Sequence, residues 1–337
     1  MEEVVEGVNC KTGVNMLYPL KFHPILKEKI WGGDKLKTLL NKTSDKTDIG
    51  ESWEISTVDN NASIVSNGVF EGKSLQELID MFTSELLGKS VYKEFGAQFP
   101  LLVKFIDAKE NLSVQLHPND ELSKKRHNSF GKTEMWYVVQ ADADAELIVG
   151  FKEDVSKKKY NHYLEANKIE QLLNFEHISE GDSYFINTGK IHAIGAGSLI
   201  AEIQQTSDIT YRLYDWDRKD KNGVKRELHT DLALEAIDFE SKEDFKLHYD
   251  RSINQLNLLV SCQYFTTNFL KVENKYIRDY SDLDSFVILM CVDKSFKIKL
   301  GEIIEEVVYG ETILLPANVK NVVIEAEETS ILEIFVS

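Results

Sequence analysis

The sequence predicts a fold dominated by β-strands, with minor helices, arranged as two jelly-roll domains. Short runs of β-branched and aromatic residues, separated by glycine, proline and asparagine turns, occur in both halves of the chain, as in sandwiches and barrels. The length of 337 residues, with 42% hydrophobic content, allows a large core and is long for one domain. A charge-rich stretch at 241–250 is typical of a linker between two such domains.

We therefore divide the chain into four predicted parts. Residues 1–15 show no hydrophobic period and are expected to form a loose tail that the fold does not need. Residues 16–240 form the larger domain, with helical additions, and residues 251–337 form a smaller β domain beyond the linker at 241–250. The smaller domain shows no cluster of polar residues comparable with that of the larger one, so we expect it to be structural.

Strand patterns alternate with a few helical patterns along the larger domain. The strand patterns lie at 17–22, 50–56, 99–106, 131–139, 178–186 and 199–205. The helical patterns lie at 74–82, 120–127, 155–175 and 230–239. Ser74 and Glu77 predict a capping box at the start of the first helix, and Thr230 is the expected N-cap of the last.

The charge and composition of the chain exclude several classes of partner. A formal net charge of −17 argues against a nucleic acid or an anionic membrane, because both attract positive protein surfaces. An anionic small substrate would need a locally basic pocket. No apolar run approaches the ~18 residues of a transmembrane helix, and the acidic N-terminus does not resemble a signal peptide. Three widely spaced cysteines favour a reduced, cytoplasmic protein, which we expect to be a monomer or a weak homodimer.

The stretch 112–120 concentrates the polar residues of the larger domain. Gln115 and His117 alternate with apolar residues and therefore share one face of a strand, which Pro118 ends. A polar pair buried in a β-protein is costly unless something binds it. The pair therefore predicts one half of a metal site.

Two further residues complete a predicted set of metal ligands. Glu134 and His192 lie on or beside other predicted strands and, with Gln115 and His117, offer two imidazoles, a carboxylate and an amide oxygen. This borderline set suits zinc and leaves room for a substrate oxygen. One carboxylate against a divalent cation leaves about one positive charge, so the metal would stay a strong Lewis acid. A lone buried histidine, by contrast, is more often satisfied by an ordinary hydrogen bond.

Four blocks of the sequence resemble type I mannose-6-phosphate isomerases, in the short bacterial form that lacks the long helical insertion of the eukaryotic enzymes. The blocks are VQLHP at 114–118, GKTEMWY at 131–137, GKIHAIG at 189–195 and QTSDITYR at 205–212. The resemblance runs in order from about residue 16 to residue 218, and more loosely to the C-terminus. In one departure, Asn187 stands where the second motif of cupins usually has proline, which affects a turn rather than a ligand.

The resemblance implies a cupin fold with the metal site in the N-terminal domain, one zinc ion (Zn2+) per chain, and conversion of mannose 6-phosphate to fructose 6-phosphate. The implied site residues are the zinc ligands Gln115, His117, Glu134 and His192, the catalytic Arg212, and Lys104, Lys132 and Trp31 in the substrate pocket. Isomerisation moves a proton between C1 and C2 through an enediol, while negative charge grows on the substrate oxygen. Arg212, with its permanent charge and rigid fork of donors, would stabilise that charge.

The residue that takes the carbon proton stays open. Glu202 is preferred, but Lys132 or a zinc-bound water would also serve, and Asp208 lies in the same segment. Glu202 and Asp208 would otherwise orient a zinc ligand or Arg212. Lys104 and Lys132 are expected to bind the substrate phosphate, unless Lys104 only carries its ammonium to the surface along an apolar stem.

Two other functions also stay open. A cupin metal-dependent oxygenase shares two histidines and a carboxylate, but does not need Lys104, Lys132 and Arg212 for a phosphate. A non-catalytic sugar-phosphate-binding protein would keep the lysines and tolerate loss of the metal. Metal content, and activity after chelation, distinguish the three functions.

Overall fold

The computed structural model of the chain describes residues 16–58, 60–219 and 222–336. The predicted tail at 1–15 lies outside the described residues. Strands make up most of the regular structure, which confirms the predicted dominance of β-strands with minor helices. Among the described residues, no helix is long and apolar enough to cross a membrane.

The elements of the described chain are numbered in chain order. The strands are β1 Leu20–His23, β2 Ile25–Gly33, β3 Ile49–Ile55, β4 Thr57–Val58, β5 Asn61–Ala62, β6 Ile64–Val65, β7 Leu101–Ala108, β8 Val114–Leu116, β9 Glu134–Ala141, β10 Glu146–Phe151, β11 Leu173–His177, β12 Ser183–Ile186, β13 His192–Ile194, β14 Ser198–Gln205, β15 Tyr211–Tyr214, β16 Leu256–Ser261, β17 Thr266–Asp279, β18 Val287–Leu300, β19 Ile303–Val308, β20 Thr312–Leu315 and β21 Asn321–Phe335. The helices are α1 Lys35–Thr38, α2 Leu75–Phe82, α3 Ser84–Leu87, α4 Lys89–Phe95, α5 Asp120–His127, α6 Lys157–Glu165 and α7 Thr230–Ala233, with 3-10 turns at Gly68–Phe70 and Ile169–Leu172.

Two antiparallel sheets pack face to face. The six-stranded sheet has the order β12-β9-β14-β7-β2-β3, and the five-stranded sheet has the order β11-β10-β13-β8-β15. Trp136 and Ile106 of the first sheet share one apolar core with Leu147 and Ile194 of the second. Side chains that point between the two sheets are enclosed, so polar residues on these faces need partners.

The third large sheet joins strands from both ends of the described chain. Its order is β16-β17-β21-β18-β20-β1-β6, and β19 pairs with β18. Leu20 of β1 lies directly opposite Leu314 of β20. This sheet shares an apolar core with α2, α3 and the six-stranded sheet, in which the rings of Phe99 and Phe286 lie 4.6 Å apart. The domain bounds and the linker expected from the sequence stay predictions.

The predicted capping box is present at the start of α2. The Glu77 amide donates to Ser74 Oγ over 3.2 Å, and the Ser74 amide donates to Glu77 Oε2 over 2.8 Å. The short charged helix predicted at 120–127 has the same bounds as α5. Local sequence signals were sufficient here because both features depend on residues within one helical turn of each other.

The helix predicted at 230–239 is wrong in its length and in its cap. The observed α7 ends at Ala233, and His229 rather than Thr230 occupies the N-cap position. Further along, the amide of Asp238 donates to a backbone carbonyl at residue 189 over 2.8 Å. Residues 234–236 form a turn, and at residue 238 one hydrogen bond to a distant part of the chain takes the place of a helical one.

The C-terminal sheet contains a buried polar cluster that the sequence did not reveal. The fully buried carboxylate of Glu333 accepts hydrogen bonds from Arg278 Nε (2.9 Å), Tyr280 Oη (2.8 Å) and Asn268 Nδ2 (3.1 Å). The partners are between 53 and 65 residues from Glu333 in sequence, so strand periodicity does not reveal them. Because its oxygens are satisfied within the sheet, this cluster stabilises the fold and offers no free ligand.

Candidate metal centre and substrate cavity

Strand β8 lies inside the five-stranded sheet and fixes the relative positions of three predicted site residues. Gln115 is directly opposite His192 on β13 and opposite Arg212 on β15. Side chains at opposed positions of antiparallel strands point to the same face of the sheet. The strand register therefore brings two predicted zinc ligands and the predicted catalytic arginine to one face.

His117, Glu134 and His192 form a buried cluster whose ligand atoms all lie within 4.8 Å of one another. Glu134 Oε2 is 3.4 Å from His117 Nε2, and Glu134 Oε1 is 3.5 Å from His192 Nε2. In each histidine, Nδ1 is 2.8 Å from a backbone carbonyl, that of Ile209 or that of Lys190. These bonds place the proton on Nδ1 and leave Nε2 with its lone pair facing the carboxylate.

The cluster fits a metal ion better than a closed network of hydrogen bonds. Among the described residues, His192 Nε2 and Glu134 Oε1 are buried without a hydrogen-bond partner. Buried polar atoms without partners are costly, and these two atoms face each other beyond the usual hydrogen-bond distance. Imidazole nitrogens and a carboxylate are ligands of divalent transition metals. The cluster could therefore hold a metal ion, with Gln115 beside it.

Lys132 brings a positive charge to the same carboxylate. Its ammonium forms an ion pair with Glu134 and lies 3.1 Å from His117 Nε2, and the side chain is buried. A buried carboxylate needs a compensating charge, and the lysine provides one. The structure thus brings Lys132 and Glu134 together.

The electrostatics of the cluster favour the protonation states that bind metals. Burial raises the pKa of Glu134, but the charge of Lys132 is the largest of the opposing effects that outweigh burial, so this pKa lies well below its usual value. Burial lowers the pKa of His192 to about 3, despite attraction to the carboxylate. Burial and then repulsion from the lysine also lower the pKa of His117. At neutral pH the cluster holds one carboxylate and two neutral imidazoles, the forms that coordinate metals.

A cavity of about 530 Å³ lies beside the cluster and carries an excess of cationic side chains. Four lysines and two arginines line it, against two glutamates and one aspartate. The predicted site residues in its lining are Trp31, Lys104, Gln115, Lys132, Glu202, Asp208 and Arg212. This volume suits a small molecule, and the excess of cations suits an anionic one although the chain is acidic overall.

Lys104 and Glu202 form a buried ion pair in the cavity wall. The residues are opposite each other on β7 and β14, and Lys104 Nζ lies 2.6 Å from Glu202 Oε2. Trp136 Nε1 donates to the other carboxylate oxygen over 2.9 Å. Burial disfavours the charged ammonium, but Glu202 and Glu51 outweigh burial, so the pKa of Lys104 lies above its usual value. The ammonium is therefore held inside the cavity rather than at the protein surface.

Arg212 lines the cavity with two neutral hydrogen-bond partners. Its Nε donates to Ser113 Oγ over 3.3 Å, and its Nη1 donates to the Glu227 backbone carbonyl over 2.9 Å. Burial lowers the pKa of Arg212, and repulsion from Arg226 lowers it further. A guanidinium stays protonated at neutral pH even so. The cavity therefore contains a charged arginine whose two hydrogen-bond partners are uncharged.

Asp208 lies in the wall between two cavities. It is exposed, and it lines both the 530 Å³ cavity and an adjacent cavity of about 860 Å³. The lining of the larger cavity contains one lysine and three carboxylates, whereas Lys132, which contacts Glu134 and His117, lines the smaller cavity. Because this charge disfavours an anionic ligand, we assign the functional site to the smaller cavity.

Sequence analysis missed several residues of the cavity wall. These are Lys27, Lys29, Glu51, Trp53, Ser113, Trp136 and Arg226. Glu51 and Trp53 alternate in one predicted strand, so period-two spacing could have placed them on the same face. Trp136 lies two residues after Glu134, so period-two spacing could have placed these two residues on one face as well. Arg226 lies outside every strand and helix and carries no periodic signal.

Comparison with known proteins shows extensive similarity. A family model described as "Phosphomannose isomerase type I, catalytic domain" matches residues 19–163. The mannose-6-phosphate isomerase ManA of Bacillus subtilis is 35% identical over 301 residues, which are 88% of this chain and 93% of that protein. A mannose-6-phosphate isomerase of Streptococcus mutans is 40% identical over 222 residues, which are 66% of this chain and 68% of that protein.

Solved structures show the same relationship. The crystal structure of the mannose 6-phosphate isomerase from Bacillus subtilis matches with a TM-score of 0.84 and 31% identity, over 94% of this chain and 99% of that one. The apo form of the enzyme from Salmonella typhimurium matches with a TM-score of 0.77 at 15% identity, which shows the shared fold. The similarity to the first relative extends over most of both chains, and it confirms the resemblance seen in the four sequence blocks. The chain belongs to the type I phosphomannose isomerase family.

Proposed function

We propose that the protein is an aldose–ketose isomerase that interconverts mannose 6-phosphate and fructose 6-phosphate with one bound zinc ion. The observation that carries this proposal is the buried cluster of His117, Glu134 and His192 beside a cavity rich in cations. Membership in the family, and the activity for which its Bacillus subtilis relatives are named, support the proposal. Gln115 is the proposed fourth ligand, because nitrogen and oxygen donors form a set suited to zinc.

The proposed chemistry is proton transfer between C1 and C2 of the open-chain sugar. When bound, the zinc ion would supply Lewis acidity toward a substrate oxygen. Arg212 directs its guanidinium at the oxygen on which negative charge grows as the carbon proton leaves. Its neutral partners, Ser113 and the Glu227 carbonyl, leave that positive charge available to the substrate.

Glu202 is the proposed acceptor of the carbon proton. Trp136 and Lys104 hold its two oxygens, so the carboxylate has a fixed orientation in the cavity wall. Lys132 is the second candidate, and its ion pair with Glu134 places it at the edge of the metal cluster. A fixed carboxylate is the better base of the two, since its oxygens carry lone pairs that accept a proton, whereas an ammonium has none.

The remaining cavity residues are proposed to bind the substrate. Lys104 and Lys132 contribute ammonium donors, and the buried ring of Trp31 offers an apolar surface to the sugar carbons. Asp208 lies at the exposed edge of the cavity, where its carboxylate would accept a hydrogen bond from a sugar hydroxyl.

The proposal also covers the organisation of the protein. The six- and five-stranded sheets would form the metal-bearing cupin jelly roll, and the eight-stranded sheet a second one, with domains at 16–240 and 251–337 joined by the linker at 241–250. We propose a cytoplasmic monomer or weak homodimer with a small-molecule sugar phosphate as its partner, and with no nucleic-acid or membrane partner. The net charge of −17 supports this choice of partner.

A coupled assay of the purified protein with mannose 6-phosphate tests the function directly. Fructose 6-phosphate should form, the activity should disappear after chelation, and added zinc should restore it. A sugar-phosphate-binding protein would bind the substrate without turnover before and after chelation. An oxygenase would consume dioxygen, so oxygen uptake without isomerisation would overturn the proposal.

A further inference from the structure

We propose that Arg226 binds the phosphate group of the substrate and thereby sets the preference for a phosphorylated sugar. This inference rests on the proposed function, because it deepens the substrate assignment of the same cavity. It begins with the question of which cations in the cavity wall already have a compensating carboxylate. A substrate phosphate binds best where positive charge is not yet compensated.

Three of the four lysines in the cavity wall are paired with a carboxylate. The pairs are Lys104 with Glu202 at 2.6 Å, Lys29 with Glu51 at 3.1 Å, and Lys132 with Glu134. The fourth, Lys27, donates to the neutral amide oxygen of Asn61 and lies over the ring of Trp53, 4.8 Å from its centroid. Of the lysines, Lys27 alone therefore adds positive charge without a carboxylate partner among the described residues, and the rest of the positive excess in the cavity wall comes from the arginines.

Asp215 is shared between two arginines near the cavity. Arg226 Nε donates to Asp215 Oδ2 over 2.7 Å, and Arg218 Nη2 donates to Asp215 Oδ1 over 2.6 Å. Glu110 also approaches Arg218, with 3.9 Å between its Oε2 and Arg218 Nη1, whereas the Arg212 side chain, within the described part of the chain, bonds only to a hydroxyl and a backbone carbonyl. Three guanidiniums therefore share two carboxylates. The arginine cluster of Arg212, Arg218 and Arg226 therefore retains a net positive charge beside the cavity.

Arg226 is the member of the arginine cluster best placed to use that charge. Arg212 and Arg226 line the cavity, whereas Arg218 is not among the lining residues. The Arg226 side chain is 30% exposed, so a ligand can reach it. Asp215 holds its Nε and one side of Nη2, and among the described residues nothing accepts a hydrogen bond from Nη1. The free edge of the guanidinium can therefore bind a phosphate through two parallel hydrogen bonds.

The position of the arginine cluster also suits the two ends of the substrate. C1 and C2 react at one end of the sugar chain, and the phosphate is at C6. Arg212 is opposite Gln115 in the strand register, which puts it next to the metal cluster. Arg226 approaches Arg212 from the loop after β15, closely enough to lower the pKa of Arg212. An extended sugar with its reacting carbons at the metal cluster can thus direct its phosphate toward Arg226.

The test compares Arg226→Met with Lys225→Met in the full chain. Lys225 is the matched control, because it is the next residue, carries the same charge, pairs with the exposed Asp217 and does not line the cavity. Arg226→Met should raise KM for mannose 6-phosphate, and the inhibition constant of inorganic phosphate, by about 10- to 100-fold, the loss of charge-assisted hydrogen bonds. The value of kcat should change far less, and Lys225→Met should match the wild type.

Two outcomes would overturn the role of Arg226: unchanged KM and phosphate inhibition, or a fall in kcat with unchanged KM. If Arg226→Met does not fold, Arg226→Gln replaces it, since the amide still donates to Asp215 but carries no charge. Calorimetric binding of inorganic phosphate to the wild type and the variant separates this inference from the proposed function. A wild type without isomerase activity refutes the function, whereas equal phosphate binding by both proteins refutes the role of Arg226.

Discussion

The ammonium of Lys104 lies 2.6 Å from the carboxylate of Glu202, at the position directly opposite on the neighbouring strand, and both side chains are buried. Each residue is therefore the compensating charge of the other. Removal of one partner leaves an uncompensated charge in a site of low polarity, which is far more costly than removal of both. Single substitutions at this pair change stability as well as function, and the two effects have to be separated.

We expect Lys104→Met to raise KM for mannose 6-phosphate and to lower the free energy of unfolding by about 3–5 kcal/mol. The double variant Lys104→Met/Glu202→Gln should recover much of the stability but none of the activity, because Glu202 is the proposed base. Chemical denaturation and steady-state kinetics of both proteins test this. Equal stability of the single and double variants would show that the two charges do not depend on each other.

The metal assignment predicts that His117→Ala loses metal and activity together, while the fold survives. The apolar core between the two sheets does not depend on this side chain, whereas the ligand set does. Elemental analysis should find about one zinc per wild-type chain and far less in the variant. His177→Ala is the control, because the His177 side chain is 80% exposed and lies outside the cluster. Full metal occupancy in His117→Ala would contradict the assignment.

The proposed role of Arg212 concerns the transition state more than substrate binding. Arg212→Ala should lower kcat by about 10²–10³ and change KM much less. Arg212→Lys should restore only part of the activity, since an ammonium lacks the planar fork. Exchange of the C2 proton with D₂O should slow in parallel, because it reports the same proton transfer. Normal kcat and exchange with much weaker binding would instead make Arg212 a phosphate contact.

Asp107 predicts a pH effect on stability away from the cavity. The residue is 1% exposed, its carboxylate accepts a hydrogen bond from the Lys35 amide over 2.7 Å, and burial raises its pKa to about 6 from 3.8. The folded state thus holds this proton more tightly than the unfolded chain. The contribution of Asp107 to the free energy of unfolding of the wild type should therefore fall by up to about 3 kcal/mol as the pH rises from about 4 to above 6.

Asp107→Asn should therefore become less destabilising, relative to the wild type, between pH 4 and pH 7, as measured by chemical denaturation at each pH. Asp142→Asn is the control, because that exposed carboxylate pairs with the ammonium of Lys35 at 2.9 Å and has a lowered pKa. Over this pH range, the stability difference between Asp142→Asn and the wild type should change only slightly, and in the direction opposite to that of Asp107→Asn. A difference between Asp107→Asn and the wild type that does not vary with pH would contradict the prediction.

The proposed ligand set was accessible from the sequence because its members lie on predicted strands or directly beside them. Gln115 and His117 share a face by alternation, and the sequence blocks supplied Glu134 and His192. Which strands are neighbours depends on the sheet order, and no local pattern encodes that order. The ion pair of Lys104 with Glu202, for example, arises from the pairing of β7 with β14.

Residues in loops or in long-range networks could not be predicted in this way. A hydrogen bond to Asp215 positions Arg226. Hydrogen bonds from residues on β17 and in the segment that follows it position Glu333. The helix predicted at 230–239 had the right periodicity, but the chain turns at 234–236 and the Asp238 amide then bonds to residue 189. In each case a contact between distant parts of the chain determines the local structure, and such contacts produce no periodic pattern in the sequence.

The pairing of Leu20 with Leu314 has a consequence for the order in which the protein is assembled on the ribosome. Strand β1 leaves the exit tunnel early, but its partner β20 is made almost 300 residues later, which at about 5–20 residues per second is a delay of about 15–60 s. During that time the edge of β1 has no strand on that side and is open to other chains. Chaperones that bind nascent chains should therefore meet β1, and ribosome-bound chains that stop before β20 should bind them longest.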